Sequence, residues 1–178
     1  PFPVAGELNM SGFEDSVDTD GIDFQIGGPT LGSNLSILFD EDNSSNTYCE
    51  IGVTITTVAN IDEFYFGFKG SPIRFDANDP TVADTTAYFR IPDNAGDLDI
   101  ETELNGLGTN NDDSGITWAN GQTKALRVTL SADSVSFSVD GTPVTQTNAV
   151  LNLDNGDQMF CFWGFQGSAA AANAGMLL

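Results

Sequence analysis

The chain contains no histidine, and only five of its 178 residues are basic: Lys69, Arg74, Arg90, Lys124 and Arg127. Without histidine it lacks the commonest general base and the commonest zinc ligand. A Ser-His-Asp or Cys-His catalytic unit cannot be assembled from this chain alone. Twenty-six acidic residues against those five cations leave a formal charge of −21. That charge works against direct binding to nucleic acid or to an anionic bilayer. Long apolar runs are also missing: none approaches the length of a membrane span, and no basic segment of a signal peptide stands at the start. The sequence begins at Pro1 rather than Met, as expected of a processed or partial chain. Cysteine is scarce, with Cys49 and Cys161 only, both inside apolar strand-like stretches. Two buried thiols are expected. A bridge is open to them only if their strands face each other across the core.

What is abundant points to β structure. The chain carries 19 Gly and 13 Phe, with many Asn, Asp, Ser and Thr, and no long helix-forming stretches. Apolar residues make up 40% of a length sufficient for one sizeable core. Side chains alternate between the two faces of a strand, and several segments carry that period of two. Ile22, Phe24 and Ile26 alternate with Asp23 and Gln25. Leu35 to Phe39 forms a second short strand. Tyr48 to Thr57 places Cys49, Ile51, Val53 and Ile55 on one face. Phe64, Phe66 and Phe68 alternate with Tyr65, Gly67 and Lys69. Strands are also expected over Thr86 to Ile91 and Leu98 to Leu104, with a short segment at Ile116-Thr117-Trp118. Loops are expected over residues 70–84 and from Gly106 to Ser114. Ser168 to Ala174 reads equally as a helical turn or a loop. Roughly a dozen short strands, with no repeat and no linker, indicate one domain spanning residues 1–178.

The last third is the most informative. Leu126, Val128 and Leu130 alternate with Arg127 and Thr129; Val135, Phe137 and Val139 alternate with Ser136 and Ser138. Asp140-Gly141 suits a tight turn. An acidic turn, Asp154-Asn155-Gly156-Asp157, precedes Met159-Phe-Cys-Phe-Trp-Gly-Phe165, which is apolar on alternate residues of both faces and reads as a fully buried strand. This order resembles the C-terminal half of concanavalin A-like and laminin G-like jelly rolls. The resemblance implies an all-β fold: an antiparallel two-sheet β-sandwich.

Two acidic patterns invite chemistry. Asp97, Asp99, Glu101 and Glu103 are spaced by two, which puts four carboxylates on one face of a strand. Retaining glycosidases need carboxyls about 5–5.5 Å apart, and alternate strand residues, about 6.6 Å apart at the backbone, can converge to that. The Glu-x-Asp-x-x-Glu motif of laminarinase-like enzymes is absent, so the row is read as a solvated strand face that discourages edge pairing. Asp18, Asp20 and Asp23 have the opening spacing of a calcium loop, but the twelfth position is Pro29 where an EF-hand closes with Glu. They are the metal candidates of the chain. No catalytic residue and no cofactor is assigned, calcium at those three aspartates excepted.

The segments Phe64-Tyr-Phe-Gly-Phe68, Leu126-Arg-Val-Thr-Leu130 and Val135-Ser-Phe-Ser-Val-Asp-Gly141, with the late apolar strand, also resemble jelly-roll structural proteins of tailed marine phages. That resemblance implies a non-enzymatic virion protein. It would be a capsid decoration or cement protein that docks on the major capsid protein or other virion proteins, with homo-oligomers allowed. The alternative is a carbohydrate-binding, lectin-like module of a secreted, cell-surface or tail-fibre protein, with glycans as partners and an extracellular location. A glycoside hydrolase is the third reading.

Overall fold

The computed structural model describes residues 21–26, 37–38, 47–70, 85–93, 95–104, 109–131, 134–145, 158–167 and 176–177. Among these described residues twelve strands follow one another: β1 (Gly21–Ile26), β2 (Ile37–Leu38), β3 (Thr47–Ile55), β4 (Ile61–Lys69), β5 (Thr85–Ile91), β6 (Asp97–Leu104), β7 (Thr109–Thr117), β8 (Gln122–Ser131), β9 (Ser134–Val139), β10 (Thr142–Val144), β11 (Gln158–Gly167) and β12 (Met176–Leu177). Among the described residues the helical content is one 3-10 turn, Val58–Asn60.

The strands form two sheets with antiparallel pairing throughout. The seven-stranded sheet runs β1-β11-β4-β5-β6-β7, with β2 also paired to β11; the five-stranded sheet runs β10-β9-β8-β3-β12. Chain neighbours β4, β5, β6 and β7 pair in sequence, whereas β11 returns from far along the chain to lie between β1 and β4. Such long returns make this a jelly-roll β-sandwich.

The alternation read from the sequence becomes the core. Phe64, Phe66 and Phe68 of β4, Ala87, Phe89 and Ile91 of β5, and Leu98 and Ile100 of β6 face the five-stranded sheet. They meet Leu126, Val128 and Leu130 of β8 and Val135, Phe137 and Val139 of β9. Phe89 and Phe137 touch edge to face across the two sheets, with ring centroids 5.1 Å apart. Edge-to-face contact sets the positive ring edge on the negative face, a gain beyond area burial. Trp118 closes one end of this core against Phe64, at 6.2 Å, and its indole N–H donates to the Gln122 carbonyl. The outward row of the five-stranded sheet is different in kind. Thr54 pairs with Thr123 through their hydroxyls at 2.7 Å, and Glu50 pairs with Arg127 at 2.5 Å.

Asp140 and Gly141 have φ of 52° and 76° and join β9 to β10 as a two-residue hairpin. Left-handed angles at both central positions match a primed turn, whose twist suits the flanking strands. The late strand β11 is buried on both faces as the sequence indicates. Phe160 and Phe162 lie on one side; Met159 and Phe165 lie on the other, within the core.

One expected loop is a strand. Residues 109–117 form β7, paired to β6 from Glu103↔Thr109 to Asp97↔Thr117. Thr-Asn-Asn-Asp-Asp-Ser-Gly has poor strand propensity, but β7 is the sheet's outer strand, where polar side chains stay in water. Its register slips between Leu98 and Asp99, opposite Ser114 and Gly115, and Gly115 takes φ 70° there. An all-polar stretch carries no hydrophobic period of two, so nothing along it marks the strand. The expectations for residues 71–84, 154–157 and 168–174 fall outside the described residues.

Cys49 of β3 and Cys161 of β11 lie in different sheets and do face each other. Both are free thiols, close enough to perturb each other's titration. Cys49 is buried, and Cys161 is half-buried.

Candidate functional site

The outward face of the seven-stranded sheet is where side chains with chemical potential converge. Along β4 the outward row is Glu63, Tyr65, Gly67 and Lys69; along β5 it is Thr86, Tyr88 and Arg90; along β6 it is Asp99, Glu101 and Glu103. Register decides who meets whom. Tyr88 lies opposite both Gly67 and Glu101, and Arg90 lies opposite both Tyr65 and Asp99. Glu101 in turn lies opposite Asn111 of β7.

Arg90 is the centre of the arrangement. Its Nε donates to Glu63 Oε1 at 2.6 Å and its Nη1 donates to Glu101 Oε1 at 2.6 Å. The other oxygen of Glu101 accepts the Tyr88 hydroxyl. Glu63 and Glu101 side chains are 10% and 3% exposed, while Arg90 keeps 23% of its surface. Three strands therefore cooperate to hold one guanidinium, with two ends fixed by carboxylates and the remainder facing outward. A planar fork bound at two points loses little further freedom on meeting a ligand.

The electrostatics follow from burial. Desolvation raises the Glu63 carboxyl above its ordinary value, although Arg90 pulls the other way. Asp99 is likewise raised, first by burial and then by Asp113 and Glu101 nearby, against the hydrogen bond from Asn111. Burial and the Glu101 charge push the Tyr88 phenol far up, so it stays a donor.

Next to this network is an aromatic cluster on the same face. Tyr88 and Phe162 are fully buried and meet edge to face at 5.8 Å; half-buried Tyr65 leans on Phe162 at 5.6 Å. The ammonium of Lys69 sits 5.1 Å over the Phe162 ring. The more accessible rim runs through Tyr65, Arg90, Asp99 and exposed Asn111, whose amide reaches Asp99 Oδ2 at 3.5 Å.

The carboxylate row read along β6 is only partly a solvated face. Asp97 is exposed and accepts from Thr117 Oγ1 at 2.8 Å. Glu101 and Glu103, however, are 2% and 6% exposed. β6 is an interior strand between β5 and β7, so it has no edge to protect. The carboxylates that share a partner are Glu63 and Glu101, from different strands, and not neighbours along β6. Glu63, Tyr65, Tyr88 and Arg90 were missed in the sequence. The available signal was that Tyr65, Tyr88 and Arg90 occupy the polar phase of strongly alternating strands.

Of the candidate calcium ligands, Asp18 and Asp20 lie outside the described residues. Asp23 lies within β1 opposite Gly164, in a strand and not a loop. Among the described residues no group of three or more acids or cysteines could hold a metal ion.

No family model and no curated protein matches the chain. Solved structures do resemble it. The Emp47p carbohydrate recognition domain superposes with a TM-score of 0.60 at 12% identity, covering 96% of this chain and 83% of that one. The Bacillus licheniformis β-glucanase superposes with a TM-score of 0.50 at 10% identity, covering 99% of this chain and 91% of that one. At such identities the likeness is one of fold: this chain has the jelly-roll β-sandwich architecture shared by that carbohydrate recognition domain and that β-glucanase.

Proposed function

We propose that this protein is a carbohydrate-binding module that recognises a glycan on the outward face of its seven-stranded sheet. The observation that supports it is the pre-positioned Arg90, clamped by Glu63 and Glu101, beside half-buried Tyr65 and the Asp99–Asn111 pair. Sugars present vicinal hydroxyls and an apolar ring face. A fixed guanidinium, a carboxylate and an amide pair with the hydroxyls, and a phenol ring packs against the apolar face. The fold likeness to a carbohydrate recognition domain agrees with this reading. An extracellular glycan is the partner it implies.

We read the site as a binding face rather than a hydrolytic one because the two carboxylates nearest its centre, Glu63 and Glu101, are both engaged in holding Arg90. The capsid decoration reading has no observation in its favour: the similar folds are a carbohydrate recognition domain and a β-glucanase, not virion components.

The test is binding to an array of immobilised glycans, with release of reducing ends followed on every bound polymer. Saturable binding is expected, weakened about tenfold by Tyr65→Ala or Asn111→Ala, since one lost polar or ring contact is worth about 1.4 kcal/mol. No reducing ends should appear. Steady hydrolysis abolished by Glu63→Gln or Glu101→Gln would make it an enzyme, and a blank array would remove the glycan reading. EDTA should leave binding unchanged; loss in EDTA would bring Asp18, Asp20 and Asp23 back as calcium ligands.

A further inference from the structure

A second candidate site lies away from that face, at the open seam between the sheets. The seam holds a cleft of about 440 Å³ bounded by Ser114 and Ile116 of β7, Lys124 of β8 and the β9–β10 hairpin from Val139 to Thr145. Ile116, Val139, Pro143 and Val144 make apolar walls. Lys124 belongs to the inward row of β8, in phase with Leu126, Val128 and Leu130, and is only 7% exposed. Its ammonium lies 5.9 Å from the centroid of the Trp118 ring, and it makes no ion pair with any described residue. Asp140 borders the cleft, but its Oδ1 is engaged by the Ala125 backbone N–H at 2.8 Å.

A buried ammonium carries three donors and loses much of its hydration. An aromatic face compensates part of that loss and accepts no conventional hydrogen bond. Among the described residues Lys124 has no ion pair, and the one carboxylate lining the cleft, Asp140, is engaged instead by the Ala125 backbone N–H. A small anion entering the cleft would supply the acceptor, and apolar walls would hold a hydrocarbon body attached to it. We infer that this seam cleft binds a small organic carboxylate with a short apolar body, its carboxylate on Lys124 and its body against Ile116, Val139, Pro143 and Val144. The inference does not rest on glycan binding, because the two sites share no residue.

The volume falls in the range of small-molecule sites. The walls come from both sheets, so an occupant would also tie β7 to the β9–β10 hairpin. Bound ligand should therefore raise the melting temperature as well as occupy the cleft.

The experiment titrates hexanoate, hexanol and hexylammonium into the whole protein and follows backbone amide resonances. Hexanoate should shift the signals of residues 114–116, 124 and 139–145 and bind at least about tenfold more tightly than hexanol, as a charge-assisted hydrogen bond implies. Hexylammonium should bind more weakly than hexanol. Lys124→Met keeps an apolar stem over Trp118; it should bring hexanoate down to the affinity of hexanol, while Lys124→Arg should retain the preference. Equal affinity for hexanoate and hexanol in the wild-type protein, shifts elsewhere, no binding at all, or hexanoate binding unchanged in Lys124→Met would each overturn the assignment.

Discussion

Gly67 of β4 lies directly opposite Tyr88 of β5, and a Cβ on the glycine would stand 2.2 Å from the Ala87 carbonyl oxygen and 2.6 Å from the Tyr88 Cα. The missing side chain is what lets Tyr88 settle over the sheet, against Phe162 and under the hydrogen bond to Glu101. The obstacles are backbone atoms, which cannot swing aside.

Gly67→Ala should therefore cost about 3 kcal/mol, the upper end of overpacking penalties. Denaturant unfolding checks it. A loss under about 1 kcal/mol would mean that β4 and β5 separate easily and that the aromatic cluster is not built on this close approach.

Arg90→Met should destabilise the fold by about 2–3 kcal/mol at neutral pH. The estimate is set below the usual cost of breaking a buried pair because Arg90 itself is partly exposed. The variant leaves Glu63 and Glu101 buried with like charge and no cation between them. Acid should rescue it, because protonation removes the repulsion. A deficit that is the same at pH 7 and pH 5 would show that the loss is packing and not charge.

The wild-type protein should gain stability as the pH falls from 7 toward 4.5. Glu63 is raised above its ordinary 4.5 and Asp99 above its ordinary 3.8 in the fold. A raised carboxyl binds its proton more tightly folded than unfolded, so its burial cost is felt above the folded pKa and is relieved as pH drops through it, down to the unfolded value. Partial neutralisation of the −21 charge acts in the same direction. Melting at low protein concentration reads the trend, since association is favoured near the isoelectric point of about 4.1. Glu63→Gln should flatten the slope; a melting temperature that falls steadily from pH 7 to pH 5 would contradict this account.

The two thiols should differ in reactivity. Burial, together with the neighbouring Cys161, raises Cys49, whereas the hydrogen bond from Cys49 lowers Cys161, which is also the more exposed. Alkylation under native conditions should thus modify Cys161 first and Cys49 only on unfolding. Two titratable thiols should appear in denaturant. Finding none there would mean a disulfide between the sheets.

The layered β architecture was legible in the residues alone. A period of two is a local property, so Phe64, Phe66 and Phe68, or Leu126, Val128 and Leu130, declare their inward face without knowledge of any partner. The Asp140-Gly141 turn is equally local, because the left-handed angles it needs are a property of those two residues. Strand β7 escaped because its polar composition is tolerated only at a sheet edge, and edge position is decided by pairing. The site escaped for the same reason. Glu63, Arg90 and Glu101 lie on three strands, and their meeting depends on register between β4, β5 and β6, which no spacing along the chain encodes. The carboxylates spaced by two along β6 are neighbours in sequence, whereas Glu63 and Glu101, which share a cation, are neighbours across the sheet. Lys124 shows the limit most simply: its phase with Leu126 and Val128 was visible, but that it faces a cleft walled by both sheets was decided only when the sandwich closed.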